Sequence, residues 1–277
     1  MSITPIEIPC LDKGFVRLID VMGNDNSIVQ AARVSYGEGT KRLTEDRGLI
    51  RYLLRHQHTT PFEMVEFKFH IKLPIFIARQ WIRHRTANVN EYSGRYSEMK
   101  DEFYIPALGN IRPQSTMNKQ GRSDETFPTE QAEIIADKFA ASQDQMYAEY
   151  RELLEMGVAR EIARINLPVS NYTEWYWKID LHNLFHFLKL RIDDHAQYEI
   201  RVYGEAIASI VKEIVPVAWE AFEDYVLHSL KFSRLEANAI TVMLGELPSD
   251  ETLAAAGLKG REAREFKDKF NRMKNQR

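Results

Sequence analysis

The sequence has 277 residues, of which 44% are hydrophobic and 28% are charged, and this composition indicates a globular protein with one sizeable core. Its 37 lysines and arginines nearly balance 40 aspartates and glutamates, so the formal net charge of -3 excludes a global field that attracts nucleic acid or an anionic membrane. The single cysteine, Cys10, excludes an internal disulfide and a cysteine-built zinc site. Because the start lacks a signal-peptide pattern and no run of about eighteen apolar residues occurs, we expect a cytoplasmic protein.

The first half of the chain predicts strands separated by helices. In order, the predicted elements are a strand over 14–23, a short helix over 26–36, a helix over 45–57, a strand over 64–73 and a helix over 74–85. The strand "MVEFKFHIKL" is the clearest of them, because apolar and polar side chains alternate strictly along it. Pro74 ends this strand and suits the first turn of the helix that follows.

Helices dominate the second half. In order, the predicted elements are a surface loop over 109–128, a long amphipathic helix over 129–157, a short helix closed by Pro168, an aromatic strand over 172–180, one helical run over 181–214 and a helical segment from Pro216 to about 228. The tail from residue 231 differs in composition, with a helix start at Ser249 and many basic residues after Lys259. We therefore predict one domain over 1–230 and a helical C-terminal extension of unknown role over 231–277.

The stretch "RHRTANVNEYSGRY", residues 83–96, concentrates three arginines among small polar side chains and one glycine. Arginine forks bind phosphate oxygens in pairs, so the stretch predicts an anion site for a phosphate. The alternative is an ordinary solvated loop of ion pairs. Ser93 with His84 as a base suggests a nucleophile, but the sequence places no third orienting group beside them. A serine that only donates and accepts hydrogen bonds is the favoured interpretation.

A second group of polar residues follows residue 180. His182, His186, Lys189 and Asp193 recur at helical spacing and predict one polar stripe. Two histidines one turn apart can bind zinc, but no further ligand is placed by the sequence. A satisfied polar face is therefore favoured over a metal site.

Two further positions are candidates. Arg191 rises from the apolar side of the same predicted helix, so it is either a buried ion pair with Asp194 or a cation directed into a pocket. The stretch "RHQHTTPFE", residues 55–63, places His58 and Thr60 just before a strand, where loop residues can face a ligand. A capping or solvated role is the simpler interpretation of these two.

The chain resembles the flavin-dependent thymidylate synthases, whose signature is Arg-His-Arg, seven residues and then Ser. Here the signature is Arg83, His84 and Arg85, then "TANVNEY", then Ser93. The longer family pattern continues through Asn90, Glu91, Gly94, Arg95 and Tyr96. The resemblance also covers "HTTPFE", "PIFIARQW", "FYIP", "AREIARINLP" and "LRIDDHAQYEI", so it runs in order through roughly residues 10 to 228.

The resemblance implies a methyltransferase that converts dUMP to dTMP. Methylenetetrahydrofolate would donate the carbon, FAD reduced by NADPH would supply the hydride, and no protein side chain would act as a covalent nucleophile. The implied dUMP-binding residues are Gln80, Arg83, Glu91, Ser93, Gly94, Arg95, Arg164 and Arg191. Among them, Arg191 would be the catalytic residue facing the uracil ring, where a guanidinium favours the ionised imide. The phosphate would lie on Ser93 to Arg95 with Arg164 nearby.

The resemblance also implies a flavin site and an architecture. The implied FAD-binding residues are Thr60, Arg83, His84, Arg85, Glu91, Asp180, Leu181, His182 and His186, with His58 close to the flavin and the folate. The chain departs from the common family pattern at Asn88, which replaces a serine, and at Asp180, which replaces an asparagine. The implied fold is α+β, with a central antiparallel or mixed sheet and several long helices. The implied assembly is a homotetramer whose active sites are shared between subunits.

Two other functional classes are alternatives. One is a metal-dependent hydrolase using His182 and His186, and the other is a nucleic-acid-binding protein using the arginine stretch and the basic tail. The incomplete ligand set disfavours a metal, and the balanced net charge disfavours a nucleic acid or a membrane, so we expect none of the three as a partner.

Overall fold

The computed structural model describes residues 6–34, 43–116 and 121–275. The predicted helix end at residues 35 and 36, and part of the predicted surface loop at 117–120, lie outside these ranges. The chain divides into two compact units, residues 1–227 and residues 228–277.

The first unit is built on one antiparallel sheet. Among the described residues its five strands are β1 (Glu7–Cys10), β2 (Gly14–Met22), β3 (Glu66–Pro74), β4 (Asn88–Glu91) and β5 (Tyr172–Asp180), in the spatial order β1-β2-β3-β5-β4. β3 and β5 pair along their whole length, from Glu66 opposite Asp180 to Pro74 opposite Tyr172. The predicted α+β class and the strands over 14–23, 64–73 and 172–180 are therefore confirmed.

In the described part of the chain, eight α-helices complete the first unit. They are α1 (Asp25–Val34), α2 (Leu43–Arg55), α3 (Ile75–Trp81), α4 (Thr129–Glu155), α5 (Arg160–Ala163), α6 (Leu181–Arg191), α7 (Tyr198–Ile214) and α8 (Pro216–Phe222). Short 3-10 turns lie at Thr60–Met64, Leu108–Asn110 and Arg164–Asn166, and a π-helical turn, Glu223–Leu227, follows α8.

The core lies between one face of the sheet and helices α3, α6 and α7. Phe67, Phe69 and Ile71 alternate with polar residues along β3 and are fully buried, as their period of two predicts. Trp177 of β5 packs beside Phe69, with ring centroids 6.2 Å apart. Each such side chain contributes about 1.5 to 3 kcal/mol by leaving water. This packing fixes the end of β5 and the start of α6, which carry much of the site described below.

The predicted continuous helix over 181–214 is wrong. α6 ends at Arg191, and α7 begins at Tyr198. In the connecting turn, the Asp193 carboxylate accepts a hydrogen bond from the backbone N–H of His195 at 2.8 Å. A short acidic side chain that binds a nearby backbone N–H stabilises a turn instead of a further helical turn. Strands β1 and β4 have no counterpart among the predicted elements.

The second unit contains α9 (Arg234–Leu244), α10 (Asp250–Ala255) and α11 (Gly260–Asn275). Ser233 and Glu236 form a reciprocal capping box at the start of α9. Ser249 caps α10, as the sequence predicts. In the part of the chain that the structure describes, no helix is both long and apolar enough to cross a membrane.

Candidate active site

A cavity of about 280 Å³ opens where β5 meets α6 and where the chain leaves α3. It is lined by Arg83, His84, Arg85, Thr86, Ile179, Asn183, His186, Leu190 and Arg191. We call it the arginine pocket. The structure thus brings the Arg-His-Arg signature and Arg191 together, although 107 positions separate His84 from Arg191.

Trp81 anchors this part of the chain. Its buried ring packs on Phe187 of α6 at 4.6 Å and on Trp177 of β5 at 5.1 Å, measured between ring centroids. α3 ends at Trp81, so the signature emerges from the core directly at the rim of the pocket. Arg191 stands in the last turn of α6, where a cation is favoured by the helix dipole.

One hydrogen bond orders the pocket. Nε of Arg191 donates to Nε2 of His84 at 3.0 Å, so the His84 ring accepts there and is neutral. Burial is the main cause that lowers the pKa of His84 to about 4, and the neighbouring Arg191 and His186 contribute in the same direction. Burial also lowers the pKa of the Arg191 guanidinium. A cation is therefore held by a neutral acceptor, and its charge is left for a ligand.

The suggested ion pair between Arg191 and Asp194 is wrong. The helix ends at Arg191, so Asp194 does not lie on a following helical turn. The Asp194 side chain is 98% exposed and pairs with Arg201 at 3.3 Å. The other interpretation of Arg191, a cation directed into a pocket, agrees with the geometry.

Of the predicted polar stripe on α6, only His186 lines the arginine pocket. His186 lines the arginine pocket together with Asn183 and Leu190, three and four residues away from it. His182 and Lys189 do not line it, and Asp193 lies beyond the helix end. Helical periodicity could have identified Asn183 and Leu190 as neighbours of His186, whereas Thr86 and Ile179 carry no such signal.

A second cavity, of about 230 Å³, adjoins the first and shares Thr86 and Ile179 with it. Asp180 lines this cavity and also caps α6, because its carboxylate accepts from the backbone N–H of Asn183 at 2.9 Å and from Nδ2 of Asn183 at 2.7 Å. Leu181 is fully buried, and its backbone N–H donates to Val65. Its side chain therefore faces the core and not a ligand.

A third group of predicted residues forms what we call the glycine corner: Ser93, Gly94, Arg95 and Arg164. Gly94 is buried, and a Cβ there would stand 2.7 Å from the Met99 sulfur and 3.0 Å from a terminal nitrogen of Arg164. Only glycine allows this close approach of the backbone to the guanidinium. Arg164 is exposed and makes no ion pair with any residue that the structure describes.

Arg95 and Ser93 have local partners in the glycine corner. Nε of Arg95 lies 3.0 Å from a carboxylate oxygen of Glu161, and both side chains are at least half exposed. The Ser93 hydroxyl accepts from the backbone N–H of Arg95 at 3.4 Å. Nε2 of His84, the base suggested for a serine nucleophile, is already engaged by Arg191.

The remaining predicted residues lie outside both groups. Glu91 accepts from the Thr173 hydroxyl at 2.8 Å, and Gln80 bonds Gln197. The His58 ring stacks on Tyr52 with centroids 5.9 Å apart. Thr60 is exposed at the start of its 3-10 turn, and His182 is half-buried on α6. Across the described ranges, no group of three or more His, Cys, Asp and Glu side chains is arranged to hold a metal ion.

The arginine pocket and the glycine corner are well separated within one chain. The pocket lies at Ile179, whereas the backbone N–H of Tyr92, just before the corner, bonds the carbonyl of Glu174. Five strand residues separate these levels of β5, which corresponds to about 17 Å. The two regions of one chain are therefore attached to different levels of the sheet.

Comparison with known proteins adds family information. A family profile described as "Thymidylate synthase complementing protein" matches residues 17–217. A flavin-dependent thymidylate synthase of Thermus thermophilus is 56% identical over 265 residues, covering 96% of each chain. One of Ehrlichia ruminantium is 55% identical over 259 residues, covering 93% of this chain and 86% of that one. Among solved structures, the UMP/dUMP methylase PolB from Streptomyces cacaoi bound with 5-Br dUMP is 32% identical with a TM-score of 0.73, covering 80% of this chain and all of that one.

Proposed function

The chain belongs to the thymidylate synthase complementing protein family, and from this premise we propose which of its residues carry the reaction. The protein is a flavin-dependent thymidylate synthase, a methyltransferase that converts dUMP to dTMP. Methylenetetrahydrofolate is the carbon donor, and FAD reduced by NADPH supplies the hydride. The observation that carries the assignment of residues is the pairing of Arg191 with His84 in the arginine pocket.

The donor set around the two adjoining cavities suits FAD. Arg83 and Arg85 are exposed at the rim and make no ion pair with described residues, so they are available to a diphosphate. His186 adds a ring that can donate or accept, and Asp180 offers a carboxylate in the adjoining cavity. Of the predicted FAD-binding residues, these four and His84 are the ones we assign to the pocket itself.

The other predicted flavin residues have less direct support. Leu181 would contribute through its backbone, because its side chain is buried in the core. Thr60, Glu91, His182 and the folate-side residue His58 lie outside the pocket lining of their own chain. We propose that these residues complete a site in which a neighbouring subunit takes part.

Arg191 is the proposed catalytic residue. Its Nε is held by His84, so both terminal amino groups stay free to contact the uracil ring. A positive guanidinium beside the ring stabilises the ionised imide, which makes the ring carbon a stronger nucleophile. This activation needs no covalent bond to the protein, and Ser93 has no base partner among the described residues.

The glycine corner is the proposed phosphate site. The Gly94 backbone and the exposed guanidinium of Arg164 lie against each other, and Ser93 offers a hydroxyl beside them. Arg95 would exchange its surface carboxylate, Glu161, for the more highly charged phosphate. Gln80, Arg83 and Glu91 are the further dUMP-binding residues of the proposal.

A homotetramer with shared active sites is part of the proposal. The supporting observation is that the two regions attach to levels of β5 about 17 Å apart along the strand, because uracil and phosphate belong to one small nucleotide. Subunits related by symmetry can place the corner of one chain beside the pocket of another. We also propose a catalytic domain over 1–230, a C-terminal extension over 231–277, and a cytoplasmic location.

An anaerobic assay tests the proposed function. The purified protein, supplied with FAD, is reduced with NADPH and then mixed with methylenetetrahydrofolate and dUMP. We expect flavin reoxidation coupled to dTMP formation. A protein that binds no flavin and makes no dTMP would contradict the assignment.

A further inference from the structure

A chain of hydrogen bonds links Gln80 on α3 to a buried carboxylate on α7. Nε2 of Gln80 donates to Oε1 of Gln197, and Nε2 of Gln197 donates to Oε2 of Glu199 at 2.9 Å. The Tyr104 hydroxyl donates to the other carboxylate oxygen, Oε1, at 3.2 Å. Glu199 is only 6% exposed, so its oxygens depend on these protein donors.

The chemistry of the buried end fixes the direction of every bond in the chain. A carboxylate only accepts, so the Gln197 amide must present its NH2 group to Glu199 and its oxygen to Gln80. Gln80 must then present its own NH2 group to Gln197. The oxygen of the Gln80 amide is consequently left as the outward-facing group. Burial and the neighbouring Glu199 raise the pKa of Tyr104, so its hydroxyl stays a donor at the far end.

We propose that Gln197 and Glu199 are positioning residues, which make Gln80 present a hydrogen-bond acceptor to a donor group of the bound nucleotide. The inference rests on the proposed function, which places Gln80 at dUMP. The group recognised is an N–H or O–H of the nucleotide, either the imide N–H of the ring or the hydroxyl of the sugar. A ligand with an acceptor at that point would face the Gln80 oxygen and be rejected.

The substitution Glu199→Gln should reverse the direction of the hydrogen bonds from Glu199 to Gln80, while the new side chain keeps the shape of the old one. The Tyr104 hydroxyl donates to Oε1, and the positive guanidinium of Arg122 lies 3.7 Å from the same oxygen, so the new amide keeps its oxygen on that side. Its NH2 group then faces Gln197, which must rotate its amide and force Gln80 to rotate as well. We expect the KM for dUMP to rise roughly tenfold, with kcat and the FAD absorbance unchanged. The matched control is Glu205→Gln, an exposed glutamate on the same helix, which should leave KM unchanged.

A double-mutant cycle separates positioning from a structural effect. In a Gln80→Ala background, Glu199→Gln should no longer change KM, because the group through which it acts is gone. A second variant, Gln197→Ala, breaks this series of hydrogen bonds at an exposed residue and should raise KM in the same way. The proposal is overturned if the Glu199→Gln effect persists without Gln80, or if Gln197→Ala leaves KM unchanged.

Two analogues identify the donor. 3-Methyl-dUMP lacks the imide N–H, and 2′,3′-dideoxyuridine 5′-monophosphate lacks the sugar hydroxyl. The binding penalty of Glu199→Gln, measured by calorimetry with each analogue, should vanish for one of them and persist for the other. A penalty that persists with both would overturn the proposal. If instead the proposed function were wrong, the unmodified protein would bind no dUMP and form no dTMP. This result differs from every outcome expected for the variants.

Discussion

The arginine pocket and the glycine corner use arginine in opposite ways. In the pocket, Arg191 is half-buried on a helix end and is held by one neutral histidine. In the corner, Arg95 and Arg164 are exposed on short connecting segments, and Arg95 is paired with a carboxylate. A fixed, partly desolvated cation stabilises charge that develops during a reaction, whereas exposed cations capture an anion that is already charged. We therefore propose that the pocket carries the chemistry and that the corner anchors the phosphate.

The largest expected effect comes from Arg191→Ala. Removing the one cation that His84 orients should lower dTMP formation by about a hundredfold to a thousandfold, while FAD stays bound to the rest of the pocket. The measurement is the turnover rate together with the visible flavin spectrum. Lys189→Ala, an exposed cation of the same helical turn that does not line the pocket, is the control. Loss of flavin with intact dUMP binding would refute the division between pocket and corner.

Arg95→Ala tests the corner. We expect dUMP binding to weaken by about 2 to 4 kcal/mol, because a charge that pairs with phosphate in the closed complex is lost. The value of kcat at saturating dUMP should change little. Arg160→Ala, a nearby arginine that pairs with Glu98, should have no such effect. Glu161→Gln should slightly tighten dUMP binding, since it releases Arg95 from its competitor. An unchanged dUMP affinity in the Arg95 variant would remove the phosphate site from this corner.

Substitutions of Asp180 test its role as the cap of helix α6. Asp180→Ala should lower the free energy of unfolding by about 1 kcal/mol, because the cap on Asn183 is lost. Asp180→Asn keeps an acceptor for the same N–H and should preserve stability. Chemical denaturation checks both variants, and equal losses in the two would show that capping is not the role of the side chain.

The arginine pocket should also be sensitive to acid. The pKa of His84 is lowered to about 4 in the folded protein, below its ordinary value of 6.5, so the unfolded chain binds the proton more readily. The stability contributed by the neutral ring is present above pH 6.5 and is lost as pH falls toward 4. Thermal unfolding of His84→Gln should therefore depend less steeply on pH in this window than that of the unmodified protein. Parallel pH profiles would contradict a neutral His84.

The sequence predicts the scaffold better than the pairing within the site. Alternation predicts β3, and the clustered arginines indicate the stretch whose start lines the arginine pocket, because both signals are local. β4 was missed since it is short and exposed on both faces, and the break after Arg191 was missed since its turn contains neither glycine nor proline. The bond between Arg191 and His84 joins distant segments through the packing of Trp81, which no local pattern encodes.

Complementation between inactive variants tests the central claim most directly. Arg191→Ala lacks the catalytic residue of the pocket and Arg164→Ala lacks part of the corner, so each alone should form little dTMP when dUMP is kept far below the KM of the Arg164 variant. The two chains, carrying different affinity tags, are expressed together, and the doubly tagged assemblies are purified and assayed for dTMP. If pocket and corner come from different subunits, we expect about a quarter of the sites to be intact and activity to return to that extent. Mixed assemblies as inactive as their parents would contradict the shared site.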